Sequence, residues 1–330
     1  MGTCCLVRGN DKSLDIKPYR KKGSINDSLL DKGVEKNDWI DESVENLFTD
    51  TKRLKQEKNK QEDIYDYVSE KVKQLIEEKG KYIFKEQAND NLESRPLTIW
   101  QFGSKYLGQW NVLTNKREGQ GVLVYSDGAI YEGWWKYDKS NGTGRLIKAN
   151  GDIYEGEWFN NYPHGKGTYM FLNDDTSFLK SNIPYRFDRD FRMYVKGCRY
   201  EGEFAHGHKN GFGSLTWPDG KRYSGEFRKN NIWGEGIYQW PDGTKYDGSL
   251  MLGEMHGIGI LTMRDGSKYI GEHNVSRKHG EGTFIWPDGT KYVGCWFWGR
   301  QDGIGEYTDI NGQVKIGEWE WGLLIRWIDN

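Results

Sequence analysis

Tyrosine recurs every 23 residues through the last two thirds of this 330-residue chain, at Tyr131, Tyr154, Tyr200, Tyr223, Tyr246, Tyr269 and Tyr292. One interval, from Tyr154 to Tyr200, is twice that length. A fixed period of about 20 to 50 residues marks a stacked-repeat architecture, because each copy buries its apolar face only against its neighbours. The period therefore decides the fold class before any single residue is interpreted.

Aligned on these tyrosines, the copies share Tyr-x-Gly-x-Trp, a short polar stretch, Gly-x-Gly, and alternating apolar residues ending in Asp-Gly. One copy reads Tyr154-Glu155-Gly156-Glu157-Trp158, then His164-Gly165-Lys166-Gly167, Tyr169 and Phe171. Three copies close on Trp-Pro-Asp-Gly, at Trp217–Gly220, Trp240–Gly243 and Trp286–Gly289. Units start near 106, 131, 154, 200, 223, 246, 269 and 292, with a terminal half-unit at 315. The unit at 106 is longer between Trp110 and Gly119, which predicts a lengthened first turn. Lys196-Gly197 falls where Asp-Gly would close a degenerate unit starting at 177, and this interval is counted as a decayed repeat.

Within Tyr-x-Gly-x-Trp the side chains alternate, so Tyr, Gly and Trp share one face while Glu201 and Glu203 take the other. Each unit is thus expected to be a pair of short antiparallel strands, with the polar stretch at the hairpin and Asp-Gly leading to the next copy. Glycine weakens a strand interior, yet here it falls on the aromatic face, where it makes room for a neighbouring ring. The 43 Gly and the 15 Trp, 20 Tyr and 13 Phe are two halves of one packing arrangement. The fold class is mainly β, an elongated single-sheet meander of stacked hairpins preceded by a short α-helical region. At about 4.8 Å per strand the array extends on the order of 90 Å.

Tyr-x-Gly-x-Trp followed by Gly-x-Gly at this period resembles the MORN (membrane occupation and recognition nexus) repeat, from Tyr106 to the end of the sequence. The resemblance implies a twisted β-meander serving as a scaffold at membrane and cytoskeletal junctions. Junctophilins, radial-spoke head proteins, apicomplexan cytoskeletal proteins and the regulatory part of some plant phosphatidylinositol phosphate kinases share it. Phe204, Phe227, Leu250 and His273 depart from the strand Trp, and residues 172 to 196 lose nearly every motif position.

Ahead of the array (99–330), residues 1–34 read as a tail and 35–98 as an amphipathic helical region. Met1-Gly2-Thr3-Cys4-Cys5 offers Gly2 for N-myristoylation, although Leu6 stands where that motif prefers Ser or Thr, and Cys4 and Cys5 for palmitoylation. A myristoyl chain alone binds membranes at about 10⁴ M⁻¹, and a second acyl chain or a basic patch makes anchoring stable. Arg8, Lys12, Lys17, Arg20, Lys21 and Lys22 supply the basic patch. The other reading is an unmodified tail. Farther on, Ile40, Val44, Leu47, Phe48 and Leu54 recur at helical spacing after Asp38, and Ile64, Val68, Val72, Leu75 and Ile76 do so before Gly80. Two readings stand: the helices cover the open first edge of the sheet, or they bind a partner or dimerise.

Only Cys198 and Cys295 occur elsewhere, so neither a disulfide framework nor a metal spacing is expected. No apolar run reaches the ~20 residues of a spanning helix, and membrane contact is expected to be peripheral. His164, His256 and His279 are one repeated motif position, and successive copies about 10 Å apart cannot share a zinc. No Gly-x-Gly opens a strand-to-helix phosphate loop. No enzyme activity, cofactor or nucleic-acid binding is expected, the last because the net charge is −2.

The period also aligns Arg199, Arg222, Lys245, Lys268 and Lys291, each one residue ahead of its tyrosine and facing away from the aromatics. Glu201, Glu203, Glu226, Asp247 and Glu272 share that outer face. Either the stripes pair with one another, each exposed pair contributing about 0–1 kcal/mol, or the cations read a surface of repeating negative charge, such as lipid headgroups or acidic tubulin tails. The function expected from these features is a non-enzymatic scaffold on a cytoplasmic membrane surface, tethered by N-terminal acylation and bound to cytoskeletal or signalling partners. The alternative is a ciliary axoneme component held by protein contacts.

Overall fold

The alternation in Tyr-x-Gly-x-Trp becomes a seven-residue strand, and that in the second half of the unit a nine-residue strand. The computed structural model of the chain describes residues 63–84, 91–172 and 195–328, all within one compact unit, Glu62–Asn330. The strands are β1 (Leu92–Ile99), β2 (Lys105–Asn111), β3 (Lys116–Val124), β4 (Ile130–Lys136), β5 (Lys139–Ile147), β6 (Ile153–Phe159), β7 (Tyr162–Met170), β8 (Arg199–Ala205), β9 (His208–Thr216), β10 (Arg222–Arg228), β11 (Asn231–Gln239), β12 (Lys245–Met251), β13 (Glu254–Thr262), β14 (Lys268–Asn274), β15 (Arg277–Ile285), β16 (Lys291–Phe297), β17 (Arg300–Thr308), β18 (Val314–Glu320) and β19 (Leu323–Ile328). Each pairs antiparallel with the next, so the 19 described strands form one open meander.

Two-residue turns close the hairpins, with both residues at positive φ, as in Asn160 (50°) and Asn161 (72°) or Lys229 (48°) and Asn230 (73°). That is the mirror-image turn whose twist matches the flanking strands, and Asn and Gly occupy it readily. Asn161 and Asn230 also accept the Ser140 and Lys209 backbone N–H from the preceding unit, at 2.8 and 2.9 Å. The first hairpin turn is longer, as its sequence predicts, with Asn111 Oδ1 accepting the N–H of Leu113 and Thr114.

Each hairpin carries a bulge, and the bulge explains the motif. In the β4–β5 pair the register skips between Gly133↔Gly144 and Trp135↔Ser140. The first Gly of Gly-x-Gly, Gly142, takes φ 86° there, a conformation L side chains resist. The second, Gly144, has another cause: a β-carbon on it would lie 2.6 Å from the Tyr131 hydroxyl. That hydroxyl donates to the Trp134 carbonyl at 3.0 Å, the residue the skipped register leaves unpaired. Tyr154, Tyr200, Tyr223, Tyr246 and Tyr269 repeat the bond at 2.7 to 2.9 Å. Tyrosine is thus required over phenylalanine because its oxygen satisfies a carbonyl at the bulge while its ring fills the space glycine vacates.

The rings form an edge-to-face ladder. Tyr131 meets Trp135 of its own strand at 5.2 Å and Trp158 of the next unit at 5.0 Å, and Tyr154 meets Trp158 at 5.1 Å. Such pairs contribute about 0.5–1.5 kcal/mol beyond area burial. The next step runs directly from Tyr154 to Phe204, 5.0 Å apart.

That step corrects one expectation. The unit placed at 177 adds no strands between its neighbours, because β7 pairs with β8 through Met170↔Arg199 and Gly167↔Gly202. Phe171 and Gly197 make the turn bonds that Trp217 and Gly220 make in a regular unit: Phe171 N–H to Cys198 O at 3.0 Å and Gly197 N–H to Phe171 O at 2.7 Å. The connection is longer by one repeat length, which is why the tyrosine register survives it.

The N-terminal segment brings two more corrections. A 3₁₀ turn (Ile64–Tyr67) leads to helix α1 (Glu70–Lys79), capped by the Ser69 side chain and stopped at Gly80. This matches the second amphipathic segment, but α1 does not cover the sheet edge. The edge strand is β1, within the region expected to be helical, and Pro96 lies at its bulge, where an edge strand tolerates a missing N–H. Helix α1 instead packs on the outer face, where Ile64, Val72 and Ile76 bury Val122, Val124, Ile130, Ile147 and Ile153. The first amphipathic segment, Asp38–Leu54, lies outside the described residues, as do Gly2, Cys4 and Cys5.

Candidate interaction face

Residues in register across the strands form rows on the outer face. Ile99 and Lys105 begin the first row, Val124, Ile130, Ile147 and Ile153 follow, and Met170 and Arg199 continue it. From there Arg199, Arg222, Lys245, Lys268 and Lys291 share the row with Thr216, Gln239, Thr262 and Ile285 between them. This position carries Lys105 in the first unit, isoleucine in the next two (Ile130 and Ile153) and a cation from Arg199 onward, and the helix sits where the isoleucines are. Ile130 and Ile153, each directly ahead of a motif tyrosine, were the sequence signal for this seat.

Under α1 the second row holds a buried ion pair. Arg145 donates from Nε and NH2 to Glu132 Oε2 at 3.0 and 2.7 Å, with side chains 5% and 0% exposed. Glu132 Oε1 accepts the Tyr65 hydroxyl at 2.7 Å and the Tyr82 N–H at 3.2 Å, and Arg145 NH2 donates to Gly80 O at 2.7 Å. Buried beside this carboxylate, the Tyr65 hydroxyl is pushed far above its ordinary value, chiefly by loss of solvent. Both charges are therefore used in holding residues 65–82 to the sheet.

Where this cover ends, a groove of ≈ 890 Å³ opens between Tyr82–Ile83 and the sheet, floored by Lys166, Thr168, Met170 and Arg199. Beyond it the face is uncovered within the described residues, and all five column cations are exposed. Arg199 pairs with Glu201 at 3.0 Å and Lys245 with Asp247 at 3.1 Å, both along their own strand. Among the described residues, Arg222, Lys268 and Lys291 make no ion pair.

The third row carries acids: Glu203, Glu226, Glu235, Glu272 and Glu281. Residues of this row also support the backbone at the bulge, a role the motif does not reveal. Glu157 and Glu203 accept the backbone N–H of Lys166 (2.9 Å) and Phe212 (3.0 Å) beside the bulge, as the Gln109 side chain does for Gln120 (2.8 Å). Besides Arg117, 4.3 Å from the Trp100 and Trp135 rings, the inner face holds two buried lysines that the motif also does not reveal. Lys209 lies 4.7 Å from the Phe171 ring, and Lys278 lies 4.0 Å from Phe284 and 4.4 Å from Trp296. Burial pushes them down to about 7 and about 8. The histidines behave as motif positions, His164 lying 5.6 Å from Phe159 and His279 5.7 Å from Phe297. Among the described residues no His, Cys, Asp and Glu group could hold a metal ion, and no helix is long and apolar enough to cross a membrane.

The MORN repeat profile matches residues 115–130, 131–153, 154–176, 200–222, 223–245, 246–268, 276–291 and 292–314, more than half of the chain. The chain belongs to the MORN-repeat family. The MORN boundaries at 131, 154, 200, 223, 246 and 292 coincide with the tyrosine ruler, and the matches break at 176 and resume at 200, where β7 meets β8. No curated protein matches the sequence. Among solved structures the MORN array is similar to an E1021V mutant of the TCP10 domain of Danio rerio CPAP, at 14% identity and TM-score 0.38 over 72% of this chain and 100% of that one. It is also similar to the SAS-4 (dCPAP) TCP domain of Drosophila melanogaster, solved with a proline-rich motif of Ana2, at 14% identity and TM-score 0.21 over 73% of this chain and 98% of that one. Likenesses this low have no bearing on what the MORN array binds.

Proposed function

We propose that this protein is a non-enzymatic scaffold: acyl groups on Gly2, Cys4 and Cys5 hold it at a cytoplasmic membrane surface, and its uncovered outer face holds cytoskeletal protein partners. MORN repeats support the scaffold class. The observation that carries the face assignment is the ordered cation row, exposed from Arg199 onward and flanked by acids, with the helical cover ending just before it. The neighbouring acid row disfavours flat adsorption to an anionic bilayer, so the partner is an acidic protein surface, with lipid contact left to the acyl groups.

Two experiments test the two halves. Labelling with alkynyl myristate and palmitate should tag the native chain, with myristate lost in Gly2→Ala and palmitate in Cys4→Ser/Cys5→Ser; an unlabelled native chain overturns the tether. Pelleting with microtubules should fall at least tenfold in Arg199→Glu/Arg222→Glu. Equal pelleting of that variant, or pelleting only with phosphatidylserine vesicles, overturns the protein-partner reading.

A further inference from the structure

Among the described residues the outer face has two apolar stretches, and only one is covered. The first, Val124 to Ile153, lies beneath α1. The second lies in the next row over, where Ile237, Asp247, Ile260, Ile270, Thr283 and Val293 stand in register from β11 to β16. Its aliphatic members are exposed by about two fifths each: Ile237 39%, Ile260 42%, Ile270 40% and Val293 38%. Ile258 and Ile304 extend it in the third row, at 71% and 61%.

Charge borders this strip asymmetrically. Lys245, Lys268 and Lys291 lie along one side, with no acid among them in the first row from β11 to β17; Glu235, Glu272 and Glu281 lie along the other, with no cation among them in the third. An occupant has to be acidic opposite the lysines, basic opposite the glutamates and apolar between. A second copy of the same face, turned over about the apolar row, meets all three conditions on β13–β16, while Asp247 and Glu306, in the same row on β12 and β17, would each face themselves and so limit the contact to the strands around β14. A two-fold rotation about that row keeps each strand over its own counterpart and exchanges the first row with the third. On β14 the outward sequence Lys268-Ile270-Glu272 then reads against itself, with Lys268 opposite Glu272 of the other copy and Ile270 opposite Ile270. Lys245 and Lys291 each come within one strand spacing of an acid, Glu235 and Glu281 respectively.

We propose that the outer face of β11–β17 is an isologous dimer interface, in which the apolar row packs on itself and the lysine row of each copy meets the glutamate row of the other. This goes beyond the scaffold reading and does not depend on it, since Arg199 and Arg222 lie outside the patch. Packed sheets lie about 10 Å apart and about 30° off alignment. Contact is accordingly confined to the few strands around β14, away from β3–β6 where α1 would intervene. Three rows on seven strands span about 29 by 14 Å, below the size of standard stable interfaces, so the association is weak and concentration-dependent rather than permanent.

The charge arrangement gives a test that misfolding cannot imitate. Sedimentation equilibrium of the full chain should show a monomer–dimer equilibrium in the micromolar range. Lys268→Glu alone and Glu272→Lys alone should each weaken it at least tenfold while thermal unfolding stays unchanged. An equimolar mixture of the two variants should dimerise again, because one copy then offers two glutamates and the other two lysines. A native chain that stays monomeric, a mixture that does not recover, or single variants that dimerise undiminished would each overturn the interface. So would a native monomer that binds anionic vesicles through these lysines.

Discussion

His273 shows what one residue does inside the ladder. It stands where other units carry Trp or Phe, between Tyr246 and Tyr269 at 5.1 and 5.0 Å. Only 3% exposed, it has no hydrogen-bond partner for either ring nitrogen. Burial, the larger cause, and nearby Lys278 hold its value down to about 4 from an ordinary 6.5. In the unfolded chain this histidine takes up its proton first. Its full stability contribution is therefore present above about pH 6.5 and is lost as pH falls toward 4, at most about 3 kcal/mol in all. His273→Phe, which copies Phe204 and Phe227, should raise the urea midpoint at pH 5 and flatten its pH dependence between 4 and 6.5. A variant with an undiminished slope there would place the titration elsewhere. The shared aromatic and glycine face was legible from the spacing of Tyr and Trp, but the edge-to-face geometry and the bulge were not. Nothing in Gly-x-Gly by itself separates a glycine needed for positive φ, as Gly142, from one needed to clear a ring, as Gly144.

At the scale of elements, the meander, its pairing and the end of α1 at Gly80 were all legible, because strand alternation and helix stops are local signals. The seat of α1 was not, because it depends on which outer-face positions are apolar in early units and charged in later ones. Edge strand β1 was missed for a related reason: Leu92–Ile99 carries Pro96 and lacks the motif, so only its pairing with β2 reveals it. The buried Glu132–Arg145 pair holds the helical segment and the sheet together. Removing one partner of such a pair leaves the other charge buried alone, at a cost of about 3–5 kcal/mol. Glu132→Ala should therefore release residues 63–84 first. In hydrogen exchange their amides should lose protection while those of β12–β17 keep theirs; uniform loss would mean that the segment is not separable from the sheet. Glu132→Leu/Arg145→Met should recover most of the stability, since no lone charge remains.

Across the whole molecule, stability in a repeat array is close to a sum of unit terms and neighbour terms, so what matters about any segment is whether it stands between two neighbours. Between β7 and β8 no further strand stands. Met170 pairs with Arg199 as Thr216 pairs with Arg222, and Tyr154 meets Phe204 as Tyr131 meets Trp158. Replacing residues 172–196 by Pro-Asp, which converts the connection to the regular Phe171-Pro-Asp-Gly197 turn, should leave the neighbour terms intact and the melting temperature within a few degrees of native. Deleting 223–245 also joins motif to motif, yet it removes two strands, the Tyr223–Phe227 pair at 5.3 Å and the Tyr200–Phe227 pair at 4.8 Å. That deletion should lower the urea midpoint, whereas the loop replacement should not. If the loop replacement instead costs as much as the unit deletion, residues 172–196 contribute to the sheet by a route that the direct β7–β8 pairing does not include. A small loss with intact pairing would identify the insertion as an elaboration of one turn, matched in length to the repeat and contributing no layer of its own.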